Sequence, residues 1–352
     1  MKKPGQRSPF FIRLLNWEYW PFTLVYIPVF VYWFLLGIRA RAPLFFTAAN
    51  PAIPTGGLAG ESKSAIMQGL PAEWKPQERF LVAGADAATA SRIMDEAGLE
   101  FPVVLKPDVG ERGMLVAVMA DAKAMQAYRS RYPIDFLVQT FVDYPLEVSI
   151  LHSRMPDAKK GEITSVTIKR YLQIEGDGQS TVAALVAAYP RARLQQDTLA
   201  ISHADRWNDV LPAGEVLQFH TIGNHNKGCQ FLNGNDRISP ALVAQFDRIA
   251  DHLPGIFYAR YDIKYRDWNS LLQGEAFCIL EINGVKSEPT HIYDPGYSVA
   301  RYYRDVLAHW NIIYRISQAN RRRGIPVMSV REGWGRLVRL RRYHQQIATH
   351  SS

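Results

Sequence analysis

The sequence predicts an α+β fold with an N-terminal apolar helix and a basic C-terminal helical tail. Three observations predict it. An uncharged run from Tyr19 to Ile38 has the length of one long helix. The middle of the chain alternates short β-rich runs with helix-period segments and glycine-bearing turns. The C-terminal part carries arginines at helical spacing. We therefore expect three parts: residues 1–59, a body at 60–300 and a tail at 301–352.

The composition indicates a globular protein with a sizeable core. The chain has 352 residues, of which 47% are hydrophobic, and this excludes a disordered protein. Two cysteines are too few for a disulfide framework or a cysteine metal cluster, and they indicate a reducing compartment. The stretch from Arg315 to Arg342 holds nine arginines and one acidic residue, so its net charge is +8. This equals the net charge of the whole chain. The body is therefore close to neutral.

The apolar run Tyr19 to Ile38 is long enough to cross a bilayer. Basic residues flank both of its ends, so a single span would place the N-terminal cations outside, against the positive-inside tendency. Pro28 is expected to kink the helix. A re-entrant or interfacial helix avoids the charge conflict. The alternatives are a helix buried in the core, or one at a contact between two copies in a homodimer.

The segment that follows the apolar run carries two candidate phosphate-binding lysines. A Pro/Gly-rich loop leads to a short predicted helix, Glu61 to Pro71, and this helix carries Lys63. Val103 to Leu105 reads as a strand that Lys106 ends, and a glycine-bearing turn and a return strand, Met114 to Val118, follow. A lysine at a strand end before such a turn can hold phosphates, and the alternative is a hairpin with a surface lysine. The candidate nucleotide-binding residues of this segment are Lys63, Lys106, Gly110, Arg112 and Gly113.

Phe136 to Leu151 predicts two strands joined at Asp143 to Pro145. Backbone groups at Phe141 and Val142 can read an adenine edge in such a linker, with Gln139 beside them. Glu147 can accept hydrogen bonds from ribose hydroxyls, and the alternative for it is an ordinary edge-strand carboxylate.

The segment Phe257 to Asn283 is the most informative part of the chain. Two apolar runs flank a polar loop, which predicts a β-hairpin. Glu281 and Asn283 share one strand face, and Asp262 can face them from the partner strand. Three oxygen ligands arranged in this way suit Mg²⁺, whereas the alternative is a hairpin with solvated polar ends. Arg260 lies on the same face as Asp262 and can reach a phosphoryl oxygen.

These motifs occur in the order found in the ATP-grasp superfamily of carboxylate ligases, which the chain resembles over roughly residues 60 to 300. FPVVLKPDVGERG resembles the second phosphate lysine and glycine-rich flap of that superfamily, and VQTFVDYPLEVSI resembles its hinge strand and ribose carboxylate. ARYDIKY and LEIN resemble the arginine and metal-binding residues of D-alanine–D-alanine ligases. The resemblance implies an ATP-grasp fold, in which two α/β subdomains clasp ATP, and it implies ATP and Mg²⁺, or Mn²⁺, as cofactors. It assigns Lys106 and Arg260 to catalysis.

A second resemblance narrows the branch. IEGDGQSTVAALVAAYP and LPAGEVLQFHTIGNHNKGCQFLNG resemble segments of cyanophycin synthetases and bifunctional glutathione synthetases. His225, Asn226 and Lys227 replace the small hydroxyl residues usual before the loop glycine. The segment after Asn283, GVKSEPTHIYDP, also departs from the short Ser-Pro-Gly of the D-alanine ligases. We therefore expect an acceptor other than D-alanine, and the candidate substrate residues are Lys286, Glu288 and His291.

The tail predicts a helix from about Ser298 to Ala319 and then a basic amphipathic helix. Anionic lipid suits the second helix better than nucleic acid, because no nucleic-acid recognition fold accompanies it, and a solvated tail is the plain alternative. We expect a cytoplasmic protein, associated with the cytoplasmic face of the membrane through Tyr19 to Ile38 and this tail, with no nucleic-acid partner.

The implied function is an ATP-dependent carboxylate–amine ligase that forms an acylphosphate and acts on a hydrophobic or envelope-related substrate at the membrane. Two alternatives stay open. The first is an ATP-grasp kinase or phosphotransferase. The second is a non-catalytic nucleotide-binding scaffold at the membrane.

Overall fold

A computed structural model describes residues 8–110 and 113–349 of the chain. The predicted α+β class and the N-terminal apolar helix are confirmed. The helices are α1 (Pro9–Leu15), α2 (Phe22–Ala40), α3 (Lys63–Met67), α4 (Ala87–Glu96), α5 (Ala122–Arg131), α6 (Val182–Ala188), α7 (Pro190–Arg193), α8 (Gln196–Ser202), α9 (Pro240–Asp251), α10 (Trp268–Gln273), α11 (Val299–Arg322) and α12 (Val330–Thr349). The strands are β1 (Glu78–Leu81), β2 (Val103–Lys106), β3 (Ala117–Met119), β4 (Phe136–Thr140), β5 (Leu146–Ser153), β6 (Glu162–Arg170), β7 (Gln173–Glu175), β8 (Val216–Gln218), β9 (Gln230–Asn233), β10 (Tyr258–Tyr265) and β11 (Phe277–Asn283).

The smaller of the two main sheets has the antiparallel order β1-β4-β2-β3. Helices α4 and α5 pack on it, and both begin at an aspartate that accepts a hydrogen bond from a backbone N–H of the first turn, Asp86 for α4 and Asp121 for α5. A core of Leu81, Val103 and Phe136 joins the layers. The return strand is shorter than predicted: the residues from 114 to 116 turn instead of pairing, because Leu115 has φ +53°.

The larger sheet has the antiparallel order β11-β10-β5-β6-β9 and forms the centre of the body. Strands β5 and β10 are inside the sheet and almost wholly buried, although both carry polar residues such as Glu147 and Asp262. Helix α9 covers one face through Leu242, Phe246 and Ile249. It begins at Ser239, which caps the helix, and at Pro240, whose fixed φ suits a first helical position.

The predicted hairpin from Phe257 to Asn283 forms as the antiparallel pair β10·β11. Its connection is not a plain polar loop, because it contains α10. Asp267 caps the start of this helix, and Gly274 ends it with φ +84°, which is a left-handed conformation that favours glycine. The helix returns the chain in register, so that Asp262 pairs directly with Glu281 and Arg260 with Asn283.

The N-terminal and C-terminal helices pack against each other on the second face of the large sheet. Leu36 and Ala40 of α2 meet Ile313 and Ile316 of α11 in a core that also holds Tyr258 of β10. Pro28 lies inside α2 and does not end it. A third core, of α6–α8 and the two-stranded sheet β7·β8, lies beside the body.

Among the described residues, one helix is long and apolar enough to cross a membrane by length and composition, and it is α2. Only 17% of its most apolar window is buried inside the protein. One face, with Val25, Val29 and Leu36, is nevertheless packed against the body.

Candidate functional site

A cleft of about 670 Å³ lies between the two main sheets, and it gathers almost all of the predicted site residues. The predicted residues that line it are Lys63, Lys106, Gly110, Gly113, Gln139, Phe141, Val142, Glu147, Arg260, Asp262, Glu281, Asn283, Lys286 and Glu288. Arg112 lies outside the described residues. His291 is buried away from the lining, where its Nδ1 lies 2.8 Å from Ser165 Oγ and its Nε2 lies 3.3 Å from Asp305 Oδ2.

Lys106 ends β2 with its ammonium buried in the cleft. Its Nζ lies 3.3 Å from Glu78 Oε2, but it makes no hydrogen bond within the described part of the chain. A buried ammonium without a hydrogen-bond acceptor is costly, so this atom is a site at which an anionic ligand group would be favourable. Gln139 pairs with Glu78 across the sheet, and its Oε1 also has no hydrogen-bond partner among the described residues. Two such atoms in one cleft are the signature of a polar ligand site.

Lys63 projects from the first turn of α3 into the same cleft. Its Nζ donates to the carbonyl of Gly110, at 2.8 Å, and lies 3.8 Å from Glu281 Oε1. Burial lowers the pKa of Lys63, and the nearby Glu281 charge opposes that shift. Asp108 fixes the helix start, because its carboxylate accepts from the N–H and hydroxyl of Ser64. Lys63 is thereby held against the glycine-rich turn.

The linker between β4 and β5 is also engaged by a lysine. Lys264 of β10 donates to the carbonyl of Val142 at 3.0 Å, and its ammonium lies 5.2 Å from the Phe141 ring centroid. The linker backbone is therefore anchored to the large sheet at the place where the sequence predicts adenine contacts.

Glu147 is buried on β5 and is hydrogen-bonded on both oxygens. Lys169 donates to Oε1 and the Tyr171 hydroxyl donates to Oε2, each at 2.7 Å. Gly223 passes so close that a Cβ added there would lie 2.5 Å from the carboxylate. Glu147 is not an edge-strand carboxylate, because β5 lies inside the sheet and the side chain is buried. Its carboxylate has further lone pairs, so a ribose hydroxyl can still donate to it.

The three predicted metal ligands meet on the β10·β11 pair. The Asn283 amide donates to Asp262 Oδ2 at 3.2 Å, and Arg260 donates to the same oxygen at 3.2 Å. Ser149 donates to Oδ1 of Asp262. Burial opposes the ionisation of Asp262, but the charges of Arg260 and Lys169 outweigh it and hold its pKa well below the usual range.

The chemistry of this donor set fits a hard divalent cation. Two carboxylates and one amide converge, and oxygen donors of this kind suit Mg²⁺, which keeps several waters and shares its shell with phosphates. Within the described residues, no group of three His, Cys, Asp or Glu side chains is close enough to hold a metal ion. Oxygen donors of this kind suit Mg²⁺ or Mn²⁺ better than a metal that needs nitrogen or sulfur ligands.

Sequence reasoning missed four residues of the site. Lys169 and Tyr171 hold Glu147, Lys264 holds the linker, and Glu78 faces Lys106. The alternation of side chains along a strand could have shown which face Lys169 lies on. Only the order of the strands in the sheet reveals that Lys169 pairs with Glu147.

The N-terminal segment forms one wall of the cleft, which Glu18, Phe22, Tyr26 and Phe30 line. Glu18 accepts two hydrogen bonds from Arg191, each at 2.8 Å, and lies 2.8 Å from Nε2 of His225. Burial opposes the ionisation of Glu18, but the hydrogen bond with His225 and the charge of Arg191 lower its pKa. The segment before α2 is thus fastened to the loop that contains His225.

No protein-family model and no curated protein matches the chain. Its structure is similar to a bifunctional glutathione synthetase from Pasteurella multocida, with 15% identity and a TM-score of 0.41 over 72% of this chain and 35% of that one. It is also similar to the VanG D-Ala:D-Ser ligase from Enterococcus faecalis, with 12% identity and a TM-score of 0.37 over 68% of this chain and 57% of that one. A third similar structure is the D-alanine–D-alanine ligase from Bacillus anthracis, with 12% identity and a TM-score of 0.42 over 75% of this chain and 68% of that one.

The chain thus spans 35% and 57% of the length of the first two enzymes. At these scores the similarities assign no activity, substrate or residue role to this chain. The chain resembles the ATP-grasp carboxylate ligases in its motifs, and its two main sheets bring those motifs into one cleft.

Proposed function

We propose that the protein is an ATP-dependent carboxylate–amine ligase. One observation carries the proposal. Two buried polar atoms without hydrogen-bond partners in the described chain, Lys106 Nζ and Gln139 Oε1, face the same cleft as the Asp262–Glu281 pair. A nucleoside triphosphate offers an anion to the first atom, a hydrogen-bond donor to the second, and phosphate oxygens to a cation held by the pair.

In the first step, a substrate carboxylate oxygen attacks the γ-phosphorus of ATP, and ADP leaves. Lys63, Lys106 and Arg260 bind the phosphates and offset the charge that develops on the transferring group. Mg²⁺ held by Asp262, Glu281 and Asn283 would neutralise further phosphate charge. The product of this step is an acylphosphate, and residues Asp108 to Gly110 beside Lys63 would help to exclude water from it.

In the second step, the nitrogen of a neutral amine attacks the acyl carbon, and phosphate leaves as the amide forms. The nitrogen loses a proton, which the departing phosphate takes up. The acceptor side of the cleft carries Lys286 and Glu288. The net reaction consumes one ATP, one carboxylate and one amine, and it releases ADP, phosphate and an amide.

We further propose that the protein acts at the cytoplasmic face of a membrane. The outward face of α2 exposes Leu24, Ile27, Val31, Phe34, Leu35 and Ile38. Its other face packs on α11, so a crossing helix would have to leave the body. An interfacial helix that buries only the outward face in lipid agrees with this packing, and the arginines of α12 would add attraction to anionic headgroups.

The test of the ligase is ATP consumption by the purified full-length protein with Mg²⁺. Pools of carboxylates and amines, including detergent-solubilised lipids, are assayed for ADP and phosphate separately. Release of both that depends on a carboxylate and an amine supports the ligase. Asp262→Asn and Glu281→Gln should abolish the release, whereas exposed Glu275→Gln should not.

Two results would contradict this function. ADP without phosphate, together with a phosphorylated product, would identify a kinase. A scaffold would bind the nucleotide but release no ADP or phosphate with any pool, and its Asp262→Asn variant would bind the nucleotide as tightly as the wild type. The product therefore separates the proposed activity from both alternatives.

A further inference from the structure

The cleft continues beyond the proposed phosphate site into an apolar branch. Helix α2 lines one side of this branch with an aromatic stripe at successive helical turns, Phe22, Tyr26 and Phe30. The ring centroids of Phe22 and Tyr26 lie 4.0 Å apart, and those of Tyr26 and Phe30 lie 5.6 Å apart. Helix α11 lines the other side with Val306, Trp310 and Ile313. The branch therefore runs between the two helices, along the face of α2 that borders the exposed apolar surface.

One anionic group lies where the branch meets the polar cleft. The Glu288 carboxylate accepts hydrogen bonds from the hydroxyls of Tyr26 and Tyr293, the latter at 2.6 Å. Within the described chain, no lysine, arginine or histidine forms a salt bridge with Glu288, in contrast to Glu61, which Lys286 binds at 2.5 Å. Two hydroxyl donors leave acceptor sites on the carboxylate unused. The group is thus a negative charge at the inner end of an aromatic channel.

We propose that this branch binds the acceptor amine, and that the amine carries an apolar chain. This inference rests on the proposed ligase, whose second substrate it specifies. An ammonium complements Glu288 by charge and by hydrogen bonding. The chain of the ligand takes the place of water against Phe30 and Ile313. A carboxylate of the same length would be repelled by Glu288 in this branch.

The position of the branch explains the role of α2. The helix presents its stripe to the cleft and its outward face to the surroundings, so an amphiphilic amine could pass from a lipid layer into the branch with its chain in contact with α2 throughout. A short hydrophilic amino acid gains nothing from these contacts. The chemical class that fits is a primary amine on an alkyl or acyl chain.

The test measures binding without ATP, so that it does not depend on turnover. Octylamine, butylamine and octanoate are titrated into the full-length protein by calorimetry, below their aggregation concentrations. We expect octylamine to bind about tenfold or more tightly than butylamine, because four further methylene groups leave water. We expect octylamine to bind at least about tenfold more tightly than octanoate, because the charge at Glu288 selects the cation.

Two variant pairs locate the site. Glu288→Gln keeps the shape of the side chain and should weaken octylamine binding about tenfold, whereas the exposed Glu275→Gln should leave it unchanged. Phe30→Ala should weaken octylamine but not butylamine. Phe34→Ala is its matched control, because Phe34 is 62% exposed one turn further along α2 and does not line the cleft. Unfolding midpoints of all variants establish that each is folded.

Three results would overturn the amine site. They are equal affinity for octanoate and octylamine, equal affinity for butylamine and octylamine, and unchanged octylamine affinity in folded Glu288→Gln. The wild-type comparisons decide the matter even if a variant fails to fold. Octylamine that binds as expected but never yields ADP and phosphate with any carboxylate would count against the ligase and not against the amine site.

Discussion

The ammonium of Lys169 lies 3.1 Å from Oδ1 of Asp262, at the place where the cleft gathers its acidic residues. The same ammonium binds Glu147 at 2.7 Å, so one buried cation holds together a predicted ribose carboxylate and a predicted metal ligand. Burial opposes the charge on Lys169, but the two carboxylates outweigh it and raise its pKa. Lys169 therefore holds both carboxylates in position and stabilises their charged forms in the absence of a ligand.

Lys169→Met should lower the free energy of unfolding by about 3 kcal/mol, because it leaves two buried carboxylates without their cation. Added Mg²⁺ should restore part of the loss if Asp262 is a metal ligand. Urea denaturation with and without Mg²⁺ measures both effects, and Lys123→Met on the exposed face of α5 is the control. A variant as stable as the wild type would contradict the pairing.

Glu18→Gln should destabilise the protein by about 2 kcal/mol at neutral pH, since the buried Arg191 loses its partner. The folded pKa of Glu18 lies below its ordinary 4.5, so its stabilisation is complete above about pH 4.5 and disappears as the pH falls through the lowered value. Denaturation of the two proteins over a pH series should therefore show curves that converge in acid. Glu73→Gln, at an exposed position, should follow the wild type at every pH.

His309 should make the stability depend on pH. Burial lowers its pKa to about 3, while its Nδ1 lies 2.9 Å from the Tyr258 hydroxyl. The unfolded chain therefore binds a proton more readily than the folded one, and the free energy of unfolding falls as the pH drops below about 6.5. Between about pH 7 and about pH 5 the loss should be about 2 kcal/mol. His309→Asn should lack this component, and an identical slope in both proteins would refute it.

A comparison of Gly57 with Gly324 separates the cost of a steric clash from the cost of a left-handed backbone, because both glycines have φ +87°. A Cβ at Gly57 would lie 2.6 Å from the Cα of Gly284, whereas a Cβ at Gly324 meets nothing within 4 Å. Gly324→Ala should cost about 1 kcal/mol for the left-handed backbone, and Gly57→Ala about 3 kcal/mol for backbone and clash together. Thermal and chemical unfolding test the difference. If both variants lost the same free energy of unfolding, the loop at Gly57 would be able to move away from Gly284 at no cost, and the predicted clash would be wrong.

Membrane association can be tested on the outward face of α2. Leu35→Glu should weaken binding to vesicles of anionic lipid about tenfold, because an apolar side chain no longer enters the lipid. Ile201→Glu is the matched control, since Ile201 is 82% exposed on α8. Co-sedimentation with vesicles gives the partition, and circular dichroism establishes that both variants fold. Equal binding by both variants, or none by the wild type, would disprove the association.

The sequence alone was sufficient for α2, for the β10·β11 hairpin and for most of the lining of the cleft. Strand alternation located the hairpin and put Glu281 and Asn283 on one face, because the side-chain period of a strand is local. The length and apolar character of α2 were equally plain.

Only the tertiary structure decided which of these residues share an environment. Lys169 reaches Asp262 because β5 lies between β6 and β10, and no local pattern encodes that order. Glu18 meets His225 across more than two hundred positions of chain, and His291 turns into the core although its neighbour Glu288 faces the cleft. Helix α2 is apolar all round, so only its packing on α11 distinguishes a buried face from an exposed one. Local periodicity fixes an element, whereas the partners of an element depend on long-range packing that a single sequence does not display.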